Sequence, residues 1–377
     1  MVYLDHNATT PLEPRVVEAM LPFLKGFYGN PSALYRLGRL ARDAVEQARA
    51  QVAALVGVDP SQVIFTSGGT EANNLALQGW IKAHPGRAVA VSSVEHASVQ
   101  EVVQAQERCN VPVHSLAVDA EGRIQVEGLV NLIEREPIGL VSCMLANNET
   151  GVLQPVAELA RIATARGICF HTDAVQAIGR VAVDFKALGV QMMSLSSHKI
   201  YGPKGVGALI VDRSLALQPL FYGGGQEYGL RAGTENVAGI VGFGKAAELA
   251  AAELEARAEH VRVLRERLEA GLAELPGVVI FGRGAQRLPN TVFMGLPGID
   301  GETLVMALDQ KKIAVASGSA CGSGGGRPSH VLLAMGVEET LAKSAIRISL
   351  GKDNTEADVV QFLSALTEIA HGLGVWQ

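Results

Sequence analysis

The sequence predicts an α/β protein: a large domain on a mostly parallel seven-stranded sheet, followed by a smaller α+β domain. Three observations carry that prediction. Short apolar runs alternate with longer stretches whose apolar residues recur every three to four positions, as in repeated strand–helix units. An Ala/Glu/Leu/Arg-rich stretch from about residue 235 to 275, ended by Pro276, separates this alternating region from the remainder. With 377 residues, 48% of them hydrophobic, the chain can fill more than one large core.

The elements follow in order. Leu37, Leu40, Ala44, Val45, Ala48, Val52 and Leu55 mark one face of an early helix. Apolar runs at 63–66, 89–92, 111–116, 140–145, 168–172, 192–195 and 208–211 are the seven strands of the large sheet, and helix spacing at 156–166 lies between two of them. The 235–275 stretch reads as one helix joining two domains. Runs at 278–281, 291–294, 313–316 and 347–350 supply the smaller sheet. The predicted division is residues 13–255 for the large domain, and 1–12 with 256–377 for the small one.

A net charge of -6 and scattered Lys and Arg argue against nucleic acid as a partner. The opening residues Met1 to Ala8 lack a signal-peptide layout, and no apolar run reaches the roughly 20 residues a membrane helix needs. A soluble, cytoplasmic protein without a membrane partner is expected. The four cysteines, at 109, 143, 169 and 321, form no CxxC pair and no zinc-like spacing, so no resident metal is expected. Cys143 and Cys169 sit in apolar runs as small buried hydrophobes, and Cys109 follows a polar stretch. Cys321 differs. It lies in a Gly/Ser-rich run, 317–326, with little to pack around it, which suits a reactive thiol.

Five polar clusters each follow a strand, where open α/β sheets bind ligands. Thr66-Ser-Gly-Gly-Thr-Glu-Ala-Asn-Asn74 precedes helix-like residues 75–81 and suits a phosphate at a helix N-terminus, although a plain Gly-rich turn with Thr70 as cap reads equally well. Glu95-His96 and Asn147-Asn-Glu-Thr-Gly151 are individually weak signals. Asp173, after the fifth strand, could cap a helix or hold a pyridinium nitrogen protonated. Lys199, in Ser196-Ser-His-Lys-Ile-Tyr-Gly-Pro-Lys-Gly205, follows an apolar strand, where a lysine of depressed pKa can form a Schiff base. A phosphate cradle, a carboxylate and a lysine together describe a pyridoxal-phosphate pocket.

The segments Tyr3-Leu-Asp-His-Asn-Ala-Thr-Thr-Pro11, Gly29-Asn-Pro-Ser32, 66–74, 147–151, His171-Thr-Asp-Ala-Val-Gln176 and 197–205 resemble class V enzymes of the fold-type I pyridoxal-phosphate transferases. Gly223-Gly-Gly-Gln226, Arg231-Ala-Gly-Thr-Glu-Asn236, Ser317-Gly-Ser-Ala-Cys321 and Ile346-Arg-Ile-Ser-Leu-Gly351 narrow the resemblance to group I cysteine desulfurases of the NifS/IscS type. It runs in order from about residue 3 to past 350.

The resemblance implies roles. Lys199 is the Schiff-base lysine, Asp173 the partner of the ring nitrogen, and His96 stacks on the ring and moves protons. Gly69, Thr70, Ser196 and His198 hold the phosphate, joined by Thr234 from the second subunit of a homodimer. Asn148 and Gln176 contact the pyridoxal O3′ region, and Arg347, beside Asn148, grips the substrate carboxylate in two-pronged fashion. Cys321 takes sulfur from L-cysteine as a persulfide, leaving L-alanine, and passes it to an acceptor protein such as an iron–sulfur scaffold, where it could transiently ligate a cluster. Ionising Cys321 needs local help, for which His96 is the candidate. The chain departs from the family pattern at Gly69, where Ala is common, at Tyr228, where Arg is frequent, and at Gly324-Gly-Gly-Arg-Pro328, where an acid is usual.

Selenocysteine lyases and aminotransferases share this scaffold. A transaminase has no use for Cys321. A thiol hydrolase pairing Cys321 with His330 would leave Lys199, Asp173 and the phosphate loop without a task.

Overall fold

The computed structural model describes residues 1–318 and 327–376. After a short β1 (Val2–Tyr3) come β2 (Val63–Thr66), β3 (Ala88–Ser92), β4 (Val113–Leu116), β5 (Ile138–Ser142), β6 (Cys169–Asp173), β7 (Met192–Ser196) and β8 (Gly207–Val211). These last seven form one sheet in the order β2-β8-β7-β6-β5-β3-β4. Only β8 runs against its neighbours; the pairs β3–β4, β3–β5, β5–β6 and β6–β7 are parallel. Every residue of β3, β5, β6, β7 and β8 is buried, as expected of a sheet covered on both faces, which is why these strands read as continuous apolar runs. His171, neutral and pushed down to about 3 by burial, bonds Ser142 Oγ (2.8 Å) and Ser194 Oγ (3.0 Å), stitching β5, β6 and β7 together.

One face of the sheet packs with Val45, Ala48 and Val52 of the helix Arg36–Leu55 and with the helices Val156–Thr164 and Val237–Ala252. The other packs with the helices Gly69–Ala83 and Ala97–Glu107. β9 (Val279–Ile280), β10 (Thr291–Gly295), β11 (Ile313–Ala314), β12 (Ala316–Ser317) and β13 (Ala345–Ser349) lie beyond. β12-β13-β10-β9 is an antiparallel sheet, and β1 pairs in parallel with β11. Their core joins Val2 and Leu4 to Leu264, Leu268, Phe362 and Leu366.

Four elements differ from expectation. The 235–275 stretch is two helices, Val237–Ala252 and Leu254–Ala273, because Glu253 leaves helical geometry (φ −110°, ψ 9°). Its carboxylate is taken by Arg15 (2.7 Å), distant in sequence, and by Arg257 (2.6 Å), four residues on in the next helix. The early helix buries Gly38 and Ala41 instead of Leu37 and Leu40, so close packing on small residues displaces its apolar face. β4 starts only after Pro112, which has no N–H to give a ladder. The helix expected at 75–81 begins at Gly69, placing Thr70 and Asn73 on its first turns; Glu71 secures that start by accepting from Ser67 N–H (2.7 Å).

Tyr228, with φ +58°, lies beneath the Arg49 guanidinium (5.5 Å), and Arg49 grips the buried Glu227 carboxylate with two bonds of 2.7 and 2.8 Å. Among the described residues, no helix is long and apolar enough to cross a membrane.

Candidate active site

The carboxyl ends of β2, β3, β5, β6 and β7 open onto a cavity of about 230 Å³. Its wall brings together Gly69, Thr70, His96, Asn148, Asp173, Gln176, Ser196, His198 and Lys199, nine residues singled out from the sequence, along with Asn73, Ser98, Met144 and Val175.

Lys199 closes a 3-10 turn directly after β7. Its Nζ donates to the main-chain oxygens of Asn7 (2.5 Å) and Ala8 (2.7 Å). Burial, reinforced by the cations Arg180 and Arg347, brings its pKa down to about 7, while Asp173 and Asp5 oppose the shift. Much of the amine is therefore unprotonated near neutrality, the state a nucleophile or base requires. Arg180 is itself buried and pushed down to about 10 by that burial. It donates to the oxygens of Gln176 (2.8 Å) and His6 (3.0 Å) and to Gln176 Oε1, with no carboxylate partner among the described residues.

Asp173 ends β6 and is oriented at both oxygens. Oδ1 accepts from Val175 N–H (2.9 Å), and Oδ2 from Asn73 Nδ2 (2.7 Å). Asn73 donates also to Ser98 Oγ (2.8 Å). His96 caps the helix Ala97–Glu107: its Nδ1 accepts from Ser98 N–H (3.1 Å), so the neutral ring carries its proton on Nε2. Burial lowers the His96 pKa against the pull of Asp173, keeping the ring neutral. In that tautomer His96 offers the cavity a donor. Such a donor can steady a thiolate.

The opposite end of the cavity is built for an anion. Intrahelical bonding begins with Ala72 N–H to Gly68 O, which leaves the preceding N–H groups of Gly69, Thr70 and Glu71 without helical partners at the positive end of the helix. Ser196 Oγ is buried with no partner among the described residues. His198 is neutral, held down at about 4 by burial and by Lys199, Lys204 and Arg180. A Cβ on Gly69 would stand 2.8 Å from Val175 Cγ2, so an alanine there would require Val175 to give way.

A main-chain strip from Asp5 to Thr10 runs beneath these groups. Gln176 Nε2 reaches Asn7 O (3.0 Å), and Thr10 N–H and Oγ1 both donate to His198 O (3.0 Å each). The Asn7 side chain donates to Thr291 Oγ1 (3.0 Å) and Asn148 O (3.2 Å) and accepts from Asn290 Nδ2 (3.1 Å). Arg347 on β13 stands outside the cavity wall, ion-paired to Asp5 (2.8 Å) and donating to Asn148 O (3.0 Å).

The structure does not bring Thr234 to the cavity; it lies exposed on the surface of its own chain. Cys321 lies outside the described residues. Ser329 donates to the carboxylate of Glu149, and His330 Nε2 bonds the main-chain oxygen of Glu95 (2.9 Å). Cys143 and Cys169 are buried with thiols pushed up by burial, Cys169 to about 12, which removes both as nucleophiles.

Sequence reasoning missed Asn73, Asp5, Asn7 and Arg180. Asp5 and Asn7 lie in the quoted 3–11 segment without an assigned role, and Asn73 lies within the 66–74 cluster at a spacing that turns it toward Asp173 once the helix starts at Gly69.

The family model for class-V aminotransferases matches residues 2–362. A cysteine desulfurase of Cereibacter sphaeroides is 46% identical over 376 residues, covering 99% of this chain and 96% of that protein. Among solved structures, a NifS-like protein superposes with a TM-score of 0.93 at 39% identity, covering 98% of this chain and 99% of the other. The structure described as SspA in complex with cysteine gives a TM-score of 0.82 at 32% identity, with coverages of 94% and 100%.

Proposed function

We infer, for a chain that belongs to the class-V aminotransferase family and is a cysteine desulfurase, how its own residues divide the work. The family's cofactor is pyridoxal phosphate, and the cavity fits it. The orphaned Ser196 hydroxyl, the open N–H groups at Gly69 and Thr70 and the neutral His198 suit a phosphate. The doubly bonded Asp173 carboxylate suits a ring nitrogen, with Asn148 and Gln176 beside the O3′ edge and Lys199 placed for the aldehyde. When bound, the cofactor supplies an electrophilic carbon for the substrate amine and a protonated ring that draws electrons from Cα.

The convergence of Lys199 and Asp173 on one cavity with an anion-ready helix end carries this reading. Lys199, neutral near pH 7, takes the proton from the substrate Cα. Arg347 receives the substrate carboxylate beside Asn148. His96 presents its Nε2–H toward the sulfur. Cys321 then attacks that sulfur as a thiolate: the S–S bond forms, the Cβ–S bond breaks, the electron pair left on Cβ is protonated, and Lys199 returns its proton to Cα. The products are L-alanine and a Cys321 persulfide, which an acceptor protein such as an iron–sulfur scaffold consumes.

We read residues 13–255 as the cofactor-binding domain, and 1–12 with 256–377 as the domain bearing Arg347 and Cys321. Exposed large apolar side chains at Leu24, Tyr28, Leu34, Tyr35, Phe221 and Tyr222 support a homodimer in which the exposed Thr234 serves the partner's phosphate site.

The test is an absorption spectrum of the pyridoxal-phosphate-loaded protein before and after L-cysteine, with alanine and persulfide measured alongside. A band that shifts with cysteine while alanine appears is expected. Cys321→Ser should keep the band and its shift and lose the persulfide. Normal alanine turnover in that variant would overturn the assignment of Cys321.

A further inference from the structure

We propose that Asp5 is an internal stand-in for the substrate carboxylate, holding Arg347 until L-cysteine displaces it, and that it thereby sets the enzyme's affinity for its amino-acid substrate. The proposal rests on the reading of Arg347 as the carboxylate clamp.

The fold places the pair. Asp5 forms a parallel bridge with Ser349, two positions along β13 from Arg347. Residues i and i+2 of a strand share a face, so the Asp5 carboxylate and the Arg347 guanidinium are brought to the same side. They meet at 2.8 Å between Nη2 and Oδ1.

The guanidinium has little else to offer a ligand. Its Nε is buried and has no partner among the described residues, so an incoming carboxylate must approach the Nη edge. On that edge Nη1 is engaged by Asn148 O and Nη2 by Asp5. A two-pronged grip on a substrate carboxylate requires the Nη edge, and Asp5 is the member that can leave. Asn148 O is a fixed main-chain group that also accepts from Asn7. The Asp5 side chain is 19% exposed, and its carboxylate makes no other side-chain bond among the described residues. Exchange of one carboxylate for another keeps Arg347 paired throughout, so no buried cation is stranded. The released Asp5 goes to water.

Asp5 also explains why Arg347 stands outside the cavity wall although its charge is felt by Lys199, His96 and Glu149. The same strip that holds Arg347 through Asp5 holds Lys199 through Asn7 and Ala8. A ligand without a carboxylate has no means to relieve the first of these contacts.

The experiment compares wild type, Asp5→Asn, Asp5→Glu and Arg347→Gln as holoenzymes. Steady-state kinetics use L-cysteine; binding of L-cysteine methyl ester is followed by the visible spectrum. Asp5→Asn should lower the KM for L-cysteine about 3- to 10-fold, the range for removing a partly exposed competing charge, with kcat within about twofold. Ester binding should not change. Asp5→Glu, which keeps a carboxylate, should stay near wild type and guards against a variant that merely misfolds. An unchanged or higher KM in Asp5→Asn, while Arg347→Gln raises KM, overturns the role of Asp5 alone. An unchanged KM in Arg347→Gln overturns the clamp reading, and this proposal with it.

Discussion

Two regions meet at the cavity and contribute different kinds of atom. The edge of the seven-stranded sheet supplies reactive side chains: the Lys199 amine, the Asp173 carboxylate, the His96 ring, the Ser196 hydroxyl. The strip from Asp5 to Thr10 supplies mostly main-chain oxygens, those of His6, Asn7 and Ala8, which orient Arg180, Gln176 and Lys199. The sheet edge performs chemistry and the strip fixes where that chemistry points. A side chain can be exchanged by mutation; a carbonyl can be moved only by moving the backbone. The two regions should therefore fail differently.

Loss of a sheet-edge group should give the largest effect. Asp173→Asn keeps a partner for Val175 N–H but removes the charge facing the ring site. Alanine formation from L-cysteine should fall roughly 10²–10³-fold with folding intact. A fall of less than about tenfold would break the contrast, because it would make the carboxylate a spacer.

Arg180 tests the border between the regions. It is a buried cation held by oxygens of the strip and of the turn after β6, and it depresses the Lys199 pKa. Activity of the wild type should fall as pH drops through about 7, where Lys199 Nζ becomes protonated. Without the Arg180 charge, protonation is easier and the Lys199 pKa rises, so in Arg180→Met the acid limb of kcat/KM should move to higher pH. Activity at pH 7 should drop and recover above it, while Arg180→Lys keeps the wild-type limb. An unmoved limb in Arg180→Met would show that burial alone tunes Lys199.

The smallest effect on catalysis should come from the strip. Asn7→Ala removes three side-chain bonds, to Thr291, Asn148 and Asn290, but leaves the Asn7 carbonyl under Lys199. Stability should drop by about 1–3 kcal/mol in denaturant titration, since buried partners lose their bonds. The kcat should change no more than about threefold. A collapse of kcat without loss of stability would contradict the division drawn here.

The same difference decides what could be read in advance. Nine cavity residues were legible because polar groups directly after apolar strands stand out against their surroundings, and Lys199 and Asp173 also carry a chemical logic that a surface lysine or a helix cap lacks. The strip was not legible in that way. A main-chain oxygen is the same in every residue, so nothing in His6, Asn7 or Ala8 announces that their carbonyls cradle a lysine. Arg180 was hidden for a related reason, since its partners are mostly main-chain oxygens. The break at Glu253 escaped because one partner of its carboxylate, Arg15, lies far off in sequence. Asp5 was quoted as part of a motif, and only the Asp5–Ser349 bridge reveals which cation it faces.

That bridge bears on how the protein is made. Asn7 N–H bonds Ser349 Oγ across 342 positions of sequence, and Leu4 accepts from Ser349 N–H beside it. During synthesis the strip emerges some 342 residues ahead of its partner strand. The strands that carry Lys199 and Asp173 can assemble while the ribosome is still working, but the strip is not pinned until β13 has left the exit tunnel. A nascent chain thus holds its reactive lysine and its cradle before β13 is there to fix the strip in place.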